Sequence, residues 1–273
     1  MSTRHIELDK ASDPMKITAV QLDMTWEDKA ANHAKTRQLL QDSPPEAGGL
    51  IVLPEMFETG FSMHPEVTCQ GEDRAGEALL RELASETQCA VLGGVVNRHP
   101  DSQTTLRGAN QAVAFAPDGN ELVRYQKMQP FSMSGESEKY PAGNSHKLFE
   151  WQGVQIAPFI CYDLRFPERF RPAVQDGAEL IAVIACWPSK RSEHWVRLLQ
   201  ARAIENLAAV VGVNRCGQEP GLEFDGRSSA FDHMGNQLFE ADSASQVQHT
   251  EFDIAALRDW REQFPALRDM RSN

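Results

Sequence analysis

The chain has 273 residues, 41% hydrophobic and 24% charged, a composition that can bury a sizeable core. Its 39 acids outnumber 27 bases, for a formal net charge of −12, and no basic block occurs anywhere, which argues against nucleic acid or an anionic membrane surface as partner. No run approaches the roughly 20 apolar residues of a membrane span.

In chain order, residues 1–14 are polar, mixed in charge and without the apolar centre of a signal peptide. They read as an extension of a cytoplasmic protein, with 15–273 as one domain. Residues 16–22 begin a series of short Val-, Ile- and Leu-rich runs that predict strands. The others are 49–53, 90–96, 111–115, 154–161, 180–185 and 208–213. Several lack polar alternation, as strands covered on both faces do. Helical spacing predicts helices over 28–41, 74–88, 166–175 and 193–206, with Pro167 in the first turn of the third. Ala116-Pro117-Asp118-Gly119-Asn120 and Phe231-Asp232-His233-Met234-Gly235-Asn236 are hairpin turns. Hairpins combined with strand–helix alternation predict mixed sheets. Residues 126–144 form the longest patternless stretch, and such loops in compact domains are usually functional.

The five cysteines, Cys69, Cys89, Cys161, Cys186 and Cys216, are odd in number and contain no C-x-x-C pair; the eight histidines form no cluster. This argues against a disulfide framework and a structural zinc site. Most of the cysteines read as small core residues.

Three strand exits carry the chemistry. Cys161 ends a buried run just before a helix, where the unpaired N–H groups of the turn favour a thiolate or an oxyanion. Glu55, in Leu53-Pro54-Glu55, ends another run, placed as a general base. Lys127, after the second strand of a hairpin, supplies an ammonium that would lower the thiol pKa and stabilise an oxyanion. Taken singly, Glu55 also reads as a solvated loop acid, Lys127 as a surface lysine and Cys161 as a core thiol.

Leu53-Pro54-Glu55, Tyr125-Gln126-Lys127 and Cys161-Tyr162-Asp163-Leu164-Arg165-Phe166-Pro167-Glu168, in this order, resemble the nitrilase superfamily of carbon–nitrogen hydrolases over roughly residues 15–253. The last stretch is specific; the first two gain weight from its company. Phe57, Phe61, Phe131, Gly226-Arg227-Ser228 and the region from His194-Trp195 to Asn206 resemble the omega-amidase branch, whose members cleave the terminal amide of 2-oxo acids such as 2-oxoglutaramate.

The resemblance implies an α/β fold, a four-layer α/β/β/α sandwich of two mixed sheets. It implies a small-molecule amide substrate, a homodimer, and no metal or organic cofactor. By position it implies Glu55 as general base, Lys127 as oxyanion lysine and Cys161 as a nucleophile that passes through a thioester. The backbone N–H of Tyr162 is the second oxyanion donor. Glu136 fits a further acid by its distance to Gly143, with Glu138 as its rival. Phe57, Phe61, Met128, Phe131, Met133 and Trp187 fall in the active-site neighbourhoods and are expected around the substrate. Arg165, Lys190, Arg191 and Arg227 are candidates to hold a substrate carboxylate. Asp163 and Arg165 also read as an acid and a base that brace the turn. The helices at 166–175 and 193–206 are candidate dimer contacts, the latter for its arginines and Trp195.

Other readings stay open. A nitrilase or N-carbamoyl-type amidohydrolase would use the same fold. A thiol redox sensor would oxidise Cys161 and resolve it with Cys186, at another strand end. A scaffold protein would use neither. A serine amidase through Arg227-Ser228-Ser229 lacks the glycine-rich setting and any G-x-S-x-G elbow.

Overall fold

The computed structural model describes residues 14–102 and 105–271, so the expected extension lies, but for Pro14, outside the described residues. The first half runs β1 (Met15–Gln21), α1 (Lys29–Asp42), β2 (Leu50–Val52), α2 (Pro65–Thr68), α3 (Ala75–Thr87), β3 (Ala90–Arg98), β4 (Gly108–Phe115), β5 (Glu121–Gln126) and α4 (Glu136–Lys139). The second half runs β6 (Phe149–Trp151), β7 (Val154–Ile160), α5 (Pro167–Gln175), β8 (Leu180–Ala185), α6 (Ser192–Asn206), β9 (Ala209–Asn214), β10 (Cys216–Glu219), β11 (Leu222–Asp225), β12 (Ser229–Phe231), β13 (Gln237–Glu240), β14 (Gln246–Phe252) and α7 (Ile254–Gln263).

Two six-stranded sheets form, in the orders β14-β1-β2-β3-β4-β5 and β13-β12-β9-β8-β7-β6, with β10 and β11 as a separate hairpin. Each has a parallel centre, β1-β2-β3 or β7-β8-β9, flanked by antiparallel strands. Period-2 alternation sorts the side chains. Leu50, Val52, Leu92, Ala112 and Ala114 join one core with the second sheet, whereas Ile51, Leu53, Val91, Val113 and Phe115 join another with Leu79, Leu80 and Leu83 of α3. Helices α5 and α6 cover the outer face of the second sheet through Phe170, Ala173, Trp195 and Leu199. The expected four-layer sandwich of two mixed sheets is the fold.

The predicted strands and helices match in place and type, with ends shifted by a few residues. One shift matters: β7 stops at Ile160, and Cys161 opens a 3-10 turn, Cys161–Arg165. A second difference concerns α6. Trp195 is fully buried and Arg202 is 3% exposed, its guanidinium donating to the Leu164 carbonyl (2.6 Å) and Glu205 (2.7 Å). Neither is free for a dimer contact, because both serve the packing of α6 on its own sheet; Arg197, the other arginine of the helix, is exposed. Among the described residues no helix is long and apolar enough to cross a membrane.

Candidate active site

Strand ends from both sheets meet at one end of the sandwich. Past β2, the chain turns at Leu53-Pro54 over β3: the Phe57 N–H donates to the Gly94 carbonyl (3.1 Å), and the Gly94 N–H to the Pro54 carbonyl (3.1 Å). A Cβ on Gly94 would stand 2.5 Å from Glu55 Cα and 2.6 Å from the Met56 nitrogen. Only glycine lets the turn sit this low, so β3 sets the position of Glu55. On β5, Val123 and Tyr125 point into the inter-sheet core, and the same alternation carries Lys127 inward at the strand exit. The Lys127 backbone is held on both sides. Its N–H donates to the Asn110 carbonyl (3.0 Å), and its carbonyl accepts from the Gly143 N–H (2.8 Å).

Helix α4, inside the patternless stretch, supplies Glu136. Lys127 Nζ donates to Glu55 Oε1 (2.8 Å) and to both oxygens of Glu136 (2.9 Å each). Asn110, from β4, bridges the two acids through Nδ2, to Glu55 Oε1 (2.8 Å) and Glu136 Oε1 (3.1 Å). Glu55 Oε2 accepts the Cys186 N–H (2.9 Å), and Glu136 Oε2 the Phe131 N–H (2.6 Å). All four side chains are buried. Burial works to strip the proton from Lys127, but Glu136 and then Glu55 outweigh it and hold its pKa well above the usual lysine value. Glu138, the rival acid, faces solvent.

Cys161 has a φ of +47°, a left-handed conformation that costs a non-glycine residue about 1–2 kcal/mol. Asp163 holds the turn in place. Its Oδ2 accepts the Ile160 N–H (2.9 Å) and the Tyr125 hydroxyl (2.7 Å), and its Oδ1 accepts the Gln129 N–H (2.8 Å). Burial pushes the Asp163 carboxyl up to about 6, and the three hydrogen bonds it accepts work against burial by favouring the carboxylate. Bracing the turn therefore falls to Asp163. Arg165 instead lies over the Trp187 ring at 4.7 Å, with one Nη meeting His194 Nδ1 at 3.2 Å.

The Cys161 thiol lies against the Cys186 carbonyl (3.8 Å). Burial, then the charge of Glu55 and a hydrogen bond to it, raise its pKa well above the usual thiol value; Lys127 opposes this and loses. The ammonium does pull the thiol pKa down as expected, but burial of the sulfur and the charge of Glu55 act more strongly.

Cys161 and Cys186 open onto a cleft of about 500 Å³. Phe61, Phe131, Tyr162, Trp187 and Arg165 line it, with the Phe131 and Tyr162 rings edge to face at 4.9 Å. Two expected lining residues do not. Phe57 is fully buried in the core under α3, and Met128 packs between the sheets, so the cleft reaches neither. Of the candidate cations, Lys190 and Arg191 line the cleft with Arg165, whereas Arg227 is engaged elsewhere by Glu240 and Glu193, at 2.6 Å each. Trp26, Met63, His64 and the β10–β11 hairpin residues Glu219, Pro220 and Leu222 also line it, and sequence reasoning missed them all. Burial raises the Glu219 carboxyl above its usual value although Arg215 donates to it at 2.6 Å. Asn110 was also missed. Its signal was present: one amide on the period-2 face that continues with Ala112 and Ala114.

The description of the carbon–nitrogen hydrolase family matches residues 16–262. The omega-amidase YafV of Yersinia enterocolitica is 36% identical over 257 residues, 93% of this chain and 96% of that protein. The 2-oxoglutaramate amidase of Bacillus subtilis is 30% identical over 260 residues, 94% of this chain and 98% of that protein. Among solved structures, XC1258 of Xanthomonas campestris, a CN-hydrolase superfamily protein with an arsenic adduct in its active site, is similar at a TM-score of 0.87 and 33% identity, covering 95% of this chain and 98% of that one. A family pattern spanning almost the whole sandwich, with relatives matched nearly end to end, gives the conclusion that this chain belongs to the carbon–nitrogen hydrolase family of the nitrilase superfamily.

Proposed function

We propose that this amidase, of the omega-amidase type, cleaves the terminal amide of small 2-oxo dicarboxylic acid monoamides such as 2-oxoglutaramate and 2-oxosuccinamate. The observation that carries the reading is a cysteine thiol on a cleft floor, backed by a buried Glu55–Lys127–Glu136 set. Glu55 takes the thiol proton as Cys161 Sγ attacks the amide carbon. Lys127 and the Tyr162 backbone N–H hold the resulting oxyanion, and such donors are worth about 2.7–4 kcal/mol each. The C–N bond breaks, nitrogen leaves as ammonia with the proton from Glu55, and a thioester remains. Water then attacks the thioester carbon and gives a proton to Glu55, which returns it to the departing sulfur as the acid is released.

The anionic end of the substrate has its own support. Arg165 and Arg191 line the cleft, and neither has a carboxylate partner among the described residues. Burial and then the charge of Arg191 lower the Arg165 pKa, so a carboxylate arriving there relieves a standing repulsion. The names of the relatives, omega-amidase and 2-oxoglutaramate amidase, point to the same substrate class. The redox reading fares worse on chemistry: Cys161 and Cys186 are both buried with pKa values pushed well up, and a thiol reacts with oxidants as its thiolate.

The test is ammonia release from 2-oxoglutaramate and succinamate, set beside matched nitriles and N-carbamoyl amino acids. Both amides should be preferred, and Cys161→Ala should lose more than about 1,000-fold in kcat. Preference for a nitrile or a carbamoyl substrate would overturn the substrate assignment.

A further inference from the structure

Asn110 is 1% exposed and does not line the cleft, yet it touches every part of the buried set. Its Nδ2 reaches one oxygen of each acid, and its backbone carbonyl takes the Lys127 N–H. The two acids fix the orientation of the amide, since only an NH2 group can face both; Oδ1 is left buried without a hydrogen-bond partner. A buried amide with half its capacity unused is costly to keep, which marks the other half as serving something.

A count of lone pairs shows what. A carboxylate offers about four acceptor sites, two on each oxygen. On Glu55, Lys127 and Asn110 fill both sites of Oε1, and the Cys186 N–H fills one of Oε2. One site remains, on the oxygen turned away from the ammonium. We propose that Asn110 is a positioning residue that blocks the idle oxygen of Glu55 and ties Glu55 to Glu136, so that a single lone pair is presented to the Cys161 proton. This rests on Glu55 as the base. Without Asn110, Lys127 and the Cys186 N–H would each hold one oxygen of Glu55, and each oxygen would keep a free lone pair to compete for the thiol proton.

A donor role and a packing role predict different orders among substitutions. Asn110→Asp keeps the shape and removes the donor. Asn110→Ser keeps one donor, and Asn110→Ala keeps none. If Asn110 acts by donating, kcat falls in the order Asn, Ser, Ala, Asp, with the alanine variant down about 10- to 100-fold, the range for a hydrogen bond to a charged group. KM stays within about twofold, because the cleft is untouched. The rate at which iodoacetamide alkylates Cys161 should follow the same order without any substrate. An aspartate variant as active as the parent, or an alanine variant with unchanged kcat and alkylation rate, would overturn the proposal. Should the aspartate variant not fold, the serine and alanine variants decide it: equal kcat and equal alkylation in those two would also overturn it. The alkylation order does not depend on the substrate, so a wrong amide assignment shows up separately, as absent ammonia release with the order intact.

Discussion

At Lys127 two opposing effects meet on one side chain. Taking an ammonium out of water costs several kcal/mol, and two carboxylates at 2.8 and 2.9 Å repay it, so the charge survives full burial. That charge still pulls on the Cys161 proton, but burial of the sulfur and the charge of Glu55 outweigh it. The consequence is measurable. A raised thiol pKa means the proton stays on sulfur through neutral pH and leaves only above the usual thiol range of about 8.5. The thiolate ultraviolet absorbance of the parent, less that of Cys161→Ser, should therefore be flat from about pH 6 to about pH 9 and rise only beyond. A step near neutral pH would show that Lys127 ionises the sulfur at rest. At this scale the sequence was informative about residues at strand exits, because Glu55, Lys127 and Cys161 each follow an apolar run. It was silent on charge balance, since whether Lys127 activates the thiol depends on Glu136 and Asn110 reaching it through space. Asn110 itself precedes the apolar run at 111–115, so it reads as lying outside the strand although it shares the face of Ala112 and Ala114.

At the scale of elements, the position of Glu55 is decided by a neighbour that bears no functional group. Gly94 lets the turn after β2 lie on β3, and the parallel register of Val52 opposite Leu92 brings the two together. Gly94→Ala places a methyl where the Glu55 backbone lies, so the turn must lift. We expect kcat to fall about 100-fold, as for a comparable displacement of a reacting group, with a stability loss of about 1–3 kcal/mol by urea denaturation. Unchanged kcat would mean that the turn tolerates the shift. The Tyr125–Asp163 hydrogen bond has a similar part across the sandwich, linking β5 of one sheet to the Cys161 turn of the other. The apolar strands β1 to β4 and β7 to β9 were legible because burial on both faces leaves a continuous hydrophobic run. By contrast β13 and β14 are half-exposed and polar, and α7 follows them with an apolar face of few residues, so their pattern fell below what periodicity can separate from loop.

For the whole molecule, the two sheets repeat one sequence of pairings: antiparallel, parallel, parallel, antiparallel, antiparallel. The parallel strands of both sheets end at the same end of the sandwich, which is how Glu55, far from Cys161 in the chain, comes to act on its thiol. Ile160 pairs with Ile184, so the exits of β7 and β8 are level and Cys186 can offer its N–H to the same carboxylate. Such long-range convergence was legible only through resemblance; no local pattern encodes which strand ends meet. The most direct measurement is rapid quenching during turnover of 2-oxoglutaramate, followed by intact-mass and peptide analysis. The account predicts an acyl group carried on the Cys161 sulfur in the parent, and neither adduct nor ammonia with Cys161→Ala. An acyl group found on another residue, or ammonia released by Cys161→Ala at close to the parent rate, would contradict it.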